Sequence, residues 1–240
     1  MRHLARLAGL AIVVPALLAA CSATGTTAAG TDTHTDPPAT STAPSATAGA
    51  APTTDSGTRL AAALVTKVPA GFTLDKSGTV DTGTDVQTEV DGAMKGHSHC
   101  ADLDGTSWIG VSGMSGIAFA QSDYSDKHDQ EIAQEVDAFS TPSGAARAMS
   151  QLKKFMGGCT SFADAGSKSI TWHLAVSPDP SVGAGAIKGT LTSANIYGGV
   201  VEVAVQRGDD VITTLVSARK LSDAKSASNL ATMIRSSLSD

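Results

Sequence analysis

Apolar and polar positions alternate with two different periods along most of this chain. Ile170, Trp172, Leu174 and Val176 alternate strictly with smaller or polar neighbours, the period of a strand with one buried face. Residues 131–139 also alternate, with Ile132, Gln134, Val136 and Ala138 on one side. That run reads as a half-buried strand, with a helix as its rival. Residues 117–121 alternate weakly, and 186–195 form a further strand. Residues 200–206 and 211–218 are rich in valine, isoleucine and threonine. They are joined by Arg207-Gly208-Asp209-Asp210, the chemistry of a hairpin turn.

Helical spacing appears in three places. Residues 60–65 form a short apolar helix that must stop before Pro69. Ser140-Thr141-Pro142 supplies an N-cap and a first-turn proline. Behind it Ala145, Met149, Leu152 and Met156 share one face, and Gly157-Gly158 ends the helix just before Cys159. A last helix is expected from Asp223, capped by Ser222, with Ala224, Ala227, Ala231, Ile234 and Leu238 as its apolar stripe. Strands joined by hairpins pair antiparallel. The expected class is therefore α+β: an antiparallel, twisted sheet with helices packed against it.

The first 56 residues follow neither period. Arg2, His3 and Arg6 precede an apolar stretch over residues 7–20 that is short and broken by Pro15. This is the layout of an export signal rather than of a membrane-spanning helix. It ends in Leu18-Ala19-Ala20-Cys21-Ser22, which resembles the bacterial lipobox. That resemblance implies cleavage after Ala20 and lipid on Cys21. Two acyl chains, at about 0.8 kcal/mol per buried methylene, hold a protein stably at a bilayer. The expected location is the extracytoplasmic face of the cell membrane. Residues 22–56 are Thr, Ala, Ser, Gly and Pro with almost no large apolar side chain. Such a stretch buries too little to offset the entropy of ordering, so residues 21–56 are read as a lipidated cysteine and a disordered tether. Its threonines are either glycosylation acceptors or inert spacer. Residues 57–240 are left as one domain.

Charge and cysteines narrow the partners. The chain carries 17 basic and 23 acidic residues, a net charge of −6, and signal cleavage removes Arg2 and Arg6. No basic patch speaks for nucleic acid or for an electrostatic hold on anionic lipid. With Cys21 lipidated, Cys100 and Cys159 remain, and export places them in an oxidising compartment. A disulfide between them closes a loop of about 60 residues, worth roughly 4 kcal/mol by loop entropy. Two free thiols, or a metal site with His97 and His99, are the rivals.

One further pattern carries a resemblance. A cysteine early in the domain is followed by a strand ending in Phe139. The Ala-rich segment AFSTPSGAARAMSQLKKFMGGCTSF then ends at the second cysteine, before a strand meander and a final Ala-rich helix. This resembles the extracellular sensor domain of mycobacterial PknH-type serine/threonine kinases, a module that also occurs as free-standing actinobacterial lipoproteins. The resemblance covers residues 58–240. It implies an α+β domain with a groove for an extracellular ligand, and no kinase activity.

Candidate chemistry is sparse. His97-Ser98-His99-Cys100, with His128 and His173, lacks the carboxylate and histidine spacing of a zinc site, so no metal is assigned. Asp102-Leu103-Asp104-Gly105 lacks the later ligands of a calcium loop and reads as an acidic turn. Arg207-Gly208-Asp209 reads as a turn rather than an adhesion signal. The GVSGM run at residues 110–114 lacks nucleophile-elbow spacing. No catalytic constellation or cofactor motif is present. Trp108, Trp172 and Tyr197 are the candidate walls of a binding groove, because aromatics are only 4% of the chain. The expectation is a non-enzymatic, lipid-anchored binding or sensor module of the cell envelope. Its partners would be the membrane, a small-molecule or lipid ligand, or an envelope protein. A carrier of an apolar molecule and a partner-docking lipoprotein are the alternatives.

Overall fold

The computed structural model of the chain describes residues 56–89, 99–104, 108–111 and 113–238. The export signal, Cys21 and the tether lie outside the described residues, as do His97, Ser98, Gly105 and Ser112. Among the described residues no helix is long and apolar enough to cross a membrane.

Eight strands form one sheet: β1 (Thr73–Asp81), β2 (Ala118–Ser125), β3 (Glu131–Ala138), β4 (Ser161–Ala163), β5 (Thr171–Pro178), β6 (Ile187–Thr192), β7 (Gly199–Arg207) and β8 (Asp210–Ala218). Their spatial order is β1-β2-β3-β8-β7-β6-β5-β4, and every neighbour pair is antiparallel. The α+β class with one disulfide is what the sequence led us to expect. The β7–β8 hairpin turns at Gly208, as its Gly-Asp chemistry requires, and Arg207 pairs directly with Asp210.

Helices cover both faces of this sheet. On one face lie α1 (Gly57–Ala63), α4 (Leu221–Ala224) and α5 (Ser226–Ser237). They pack Leu60, Ala227, Ala231 and Ile234 onto Val136, Val201, Val203, Val205 and Ile212. On the other face lie α2 (Trp108–Val111), α3 (Pro142–Gly158) and a 3-10 helix at Cys100–Asp104. They pack Leu103, Trp108, Ala145, Leu152 and Met156 onto Leu174, Leu191, Ala204 and Leu215. Alternation along each strand explains the division, since successive side chains point to opposite faces.

Helix ends follow local chemistry. Ser56 caps α1, and Thr141 caps α3 ahead of Pro142. Past α1 the chain is held by a buried amide. Gln134 Nε2 donates to the carbonyl of Val65 at 2.6 Å and to Ser122 Oγ at 2.8 Å, and its Oε1 accepts from Val65 N–H at 2.9 Å. At the start of α3, Glu89 accepts the backbone N–H of Ser140 at 2.8 Å and lies 3.7 Å from Arg147.

Three expectations are corrected. The final helix is two helices, and Ser222 lies inside α4, where its hydroxyl bonds the Asp223 carboxylate instead of capping. The apolar stripe itself is as expected: Ala224, Ala227, Ala231, Ile234 and Leu238 are all buried. β3 is buried on both faces rather than one, because helices cover the sheet from both sides. The edge strands β1 and β4 were not anticipated. β1 is exposed along most of its length and β4 has three residues, so neither carries a usable alternation.

Candidate functional site

Cys100 and Cys159 form a disulfide with their Cα atoms 5.4 Å apart. The bond ties the 3-10 helix to the C-terminal end of α3. Leu103 of that 3-10 helix shares a core with Trp108. Trp108, only 2% exposed, lies over the middle of the sheet. Space for its ring comes from Gly189: a Cβ there would sit within 3 Å of the Trp108 ring and of the Met156 methyl. Gly189 is the direct cross-strand partner of Glu202, so the carboxylate has no side chain beside it on β6.

A hollow results between α2 and the sheet. It is lined by Trp108, Ala133, Glu202, Thr213 and Leu215, and its volume is about 10 Å³, room for one water-sized group. That is below the ~300 Å³ at which drug-sized pockets begin. Glu202 is 1% exposed and Thr213 4% exposed. Trp108 Nε1 and Thr213 Oγ1 have no hydrogen-bond partner among the described residues. A buried donor left without a partner costs on the order of 1–3 kcal/mol. Two such groups facing one hollow, beside a carboxylate, make a place where a small polar group or a water gains hydrogen bonds that the protein alone leaves unmade.

The hollow continues into a row of buried acids on the same face. Glu135 is the cross-strand partner of Thr213. Asp137 lies two residues further along β3, and Asp123 sits opposite Ala133 on β2. Burial pushes the Asp137 carboxyl up to about 7, with the nearby Asp210 charge adding and a hydrogen bond with Glu135 opposing. Burial also pushes Asp123 up to about 7. The charges of Glu131 and Asp75 add to that, while a hydrogen bond from Gln121 Nε2, at 3.1 Å, opposes it. Glu131 is raised by burial and by Asp75. Asp123 and Asp137 thus pass from neutral to anionic as pH rises through about 7, and from hydrogen-bond donor to acceptor.

The three aromatic candidates part company. Trp108 lines the hollow. Trp172 is buried, and its Nε1 donates to Asp164 Oδ2 at 3.1 Å, so its polar atom is spent inside the core. Tyr197 is 95% exposed at a loop tip. The histidines stay apart as well. His99 donates its backbone N–H to Asp102 at 2.7 Å, giving the acidic turn its form. His128 Nδ1 lies 3.2 Å from Arg219, and His173 is exposed on β5. Among the described residues no three His, Cys, Asp or Glu side chains are gathered to hold a metal ion. Sequence reading missed Glu135, Asp137, Glu202 and Thr213. Their signal was present: acids at alternate positions inside strands that are otherwise Val- and Ala-rich, such as GVVEVAV over residues 199–205.

Sheet order, two helical layers and the disulfide define an exposed-edge α+β domain with its polar interior on one face. No family model and no curated protein matches the sequence. Among solved structures the chain is similar to the extracellular domain of PknH from Mycobacterium tuberculosis. The TM-score is 0.54 at 15% identity, over 76% of this chain and 95% of that one. At that identity the likeness is one of fold.

Proposed function

We propose that this chain is a non-enzymatic lipoprotein, lipid-anchored through Cys21 on the extracytoplasmic face of the cell membrane, whose folded part is a ligand-binding or sensor module. The anchor rests on the lipobox-like Leu18-Ala19-Ala20-Cys21 run. The module reading rests on the fold likeness to the extracellular domain of PknH. The observation that carries ligand binding is the hollow under Trp108, where two buried donors and Glu202 converge without filling it. Its size suits a single water-sized polar group, such as the tip of a larger ligand, rather than an acyl chain, which favours this reading over a carrier of lipids.

Native mass spectrometry of the full chain, extracted from its own membrane, tests both parts. A mass increment of a diacylglyceryl group that disappears in Cys21→Ala supports the anchor. A reproducible co-purifying small mass that Thr213→Val reduces supports binding at the hollow. An unlipidated chain with no bound mass, in wild type and variant alike, sinks the proposal.

A further inference from the structure

The hollow under Trp108 selects by chemistry as well as by size. Its volume of about 10 Å³ admits one water-sized group. It lies over β7 and β8, the two central strands of the sheet, so Glu202 and Thr213 are placed by strand register rather than by a loop. Thr213 stands between Glu135 on β3 and the small Ala204 on β7. Gln134 and Thr214 also border the hollow, but their side chains are committed elsewhere, to Val65 and Ser122 and to the Ala227 carbonyl. An entering group therefore meets three polar side chains, those of Trp108, Thr213 and Glu202. Trp108 Nε1 and Thr213 Oγ1 have no partner among the described residues.

These side chains suit few kinds of visitor. An indole N–H only donates, so the entering atom must accept from it. An ammonium or guanidinium group has no lone pair and leaves that hydrogen bond unmade. A carboxylate, phosphate or sulfate sets a second anion beside Glu202, and among the described residues of the lining there is no lysine, arginine or histidine to offset it. A carbonyl oxygen accepts from Trp108 and Thr213 but brings no proton to the Glu202 carboxylate. A hydroxyl meets every one of these conditions. Its oxygen accepts from Trp108 Nε1, and its proton goes to Thr213 Oγ1 or to Glu202. Ala133 and Leu215, the apolar part of the lining, suit the carbon that carries it.

We infer, resting on the ligand-binding reading of this hollow, that it is selective for the hydroxyl of a neutral alcohol. The ligand class is a sugar or polyol with a primary alcohol, because a projecting arm reaches a space of about 10 Å³ that a ring cannot enter. The rest of such a ligand stays outside the hollow. Water offers the same donor and acceptor, and it is the occupant that a ligand hydroxyl replaces without loss of hydrogen bonds.

The test follows the indole N–H resonances of the isotope-labelled full chain by NMR, of which there are two because the chain has two tryptophans. Trp172→Phe assigns them, and the Trp172 N–H, bonded to Asp164, serves as the internal control. The probes are methanol, glycerol, methylammonium and formate. Methanol and glycerol should shift the Trp108 resonance saturably and leave that of Trp172 in place. Half-saturation by methanol should come at about 10 mM or above, the ceiling for so small a ligand. Thr213→Val should weaken both alcohols about tenfold, and Thr213→Ser should restore them. Saturable shifts with methylammonium or formate that equal or exceed those with methanol overturn the inference but leave the hollow a ligand site. Alcohol shifts that Thr213→Val does not change overturn it as well. No saturable shift with any probe reduces the hollow to a water site, and removes the ligand-binding reading together with the inference.

Discussion

The two faces of the sheet are built to different rules. Under α1 and α5 the contact is valine, isoleucine, leucine and small alanines. Its polar members are bonded: Gln134 clamps Val65 and Ser122, and the Thr214 hydroxyl donates to the Ala227 carbonyl at 2.9 Å. Under α2 and α3 the sheet presents Asp123, Glu135, Asp137, Glu202 and Thr213 along with its apolar residues, and a disulfide closes that side. The first face is an apolar core whose few polar groups are hydrogen-bonded. The second accepts desolvated acids, each unfavourable when charged. The difference separates an apolar layer from one that carries desolvated acids.

Breaking the closure of the second face should have the largest effect. Replacing both Cys100 and Cys159 by alanine is expected to cost roughly 4 kcal/mol, from the loop entropy returned to the unfolded chain. Because Cys100 and Cys159 belong to the core that buries Trp108, the variant's Trp108 fluorescence should shift toward that of a solvated indole in a Trp172→Phe background. Denaturant unfolding gives the stability, and a loss well under ~1 kcal/mol would mean that packing alone holds this side.

Damage to the first face should be nearly as costly but silent at Trp108. Ile234→Ala removes a fully buried side chain of α5 and is expected to cost about 2–4 kcal/mol. Its Trp108 emission should stay as in wild type. A shift comparable to that of the disulfide variant would show that the two layers are not independent.

The smallest effect is also the one that depends on pH. Asp137 is raised to about 7 when folded, so between its ordinary acidic value and about 7 the folded chain holds a proton that the unfolded chain has released. Its favourable contribution is complete below the unfolded value and is lost as pH rises through about 7. Asp137→Asn should therefore change stability least below the ordinary carboxylate value, and its gain should grow by roughly 2–3 kcal/mol between pH 5 and neutrality and then level off. Asp123→Asn should behave alike, and combining the two should flatten the thermal stability profile between pH 5 and 8. A gain equal at both ends of that range would place the ionisation elsewhere.

Local patterns set out much of this molecule. The Thr141-Pro142 start of α3, the Gly-Asp turn between β7 and β8, the alternation of β5 and the alanine stripe of α5 are legible because each depends on neighbours a few residues away. The partner of Cys100 was also readable, since with Cys21 read as the lipid site only Cys159 remained. What lay beyond sequence was set by distant pairing. Thr213 meets Glu135 only through the β3–β8 register, and the Trp108 ring finds its space near Glu202 only because Gly189 lies across from that residue on β6. Trp108 and Trp172 look equivalent in sequence. One faces a hollow with its N–H unspent, and the other is satisfied by Asp164. Periodicity tells a side chain which face to take. Register and the second helical layer decide what waits there, and those come from contacts between residues far apart in the chain.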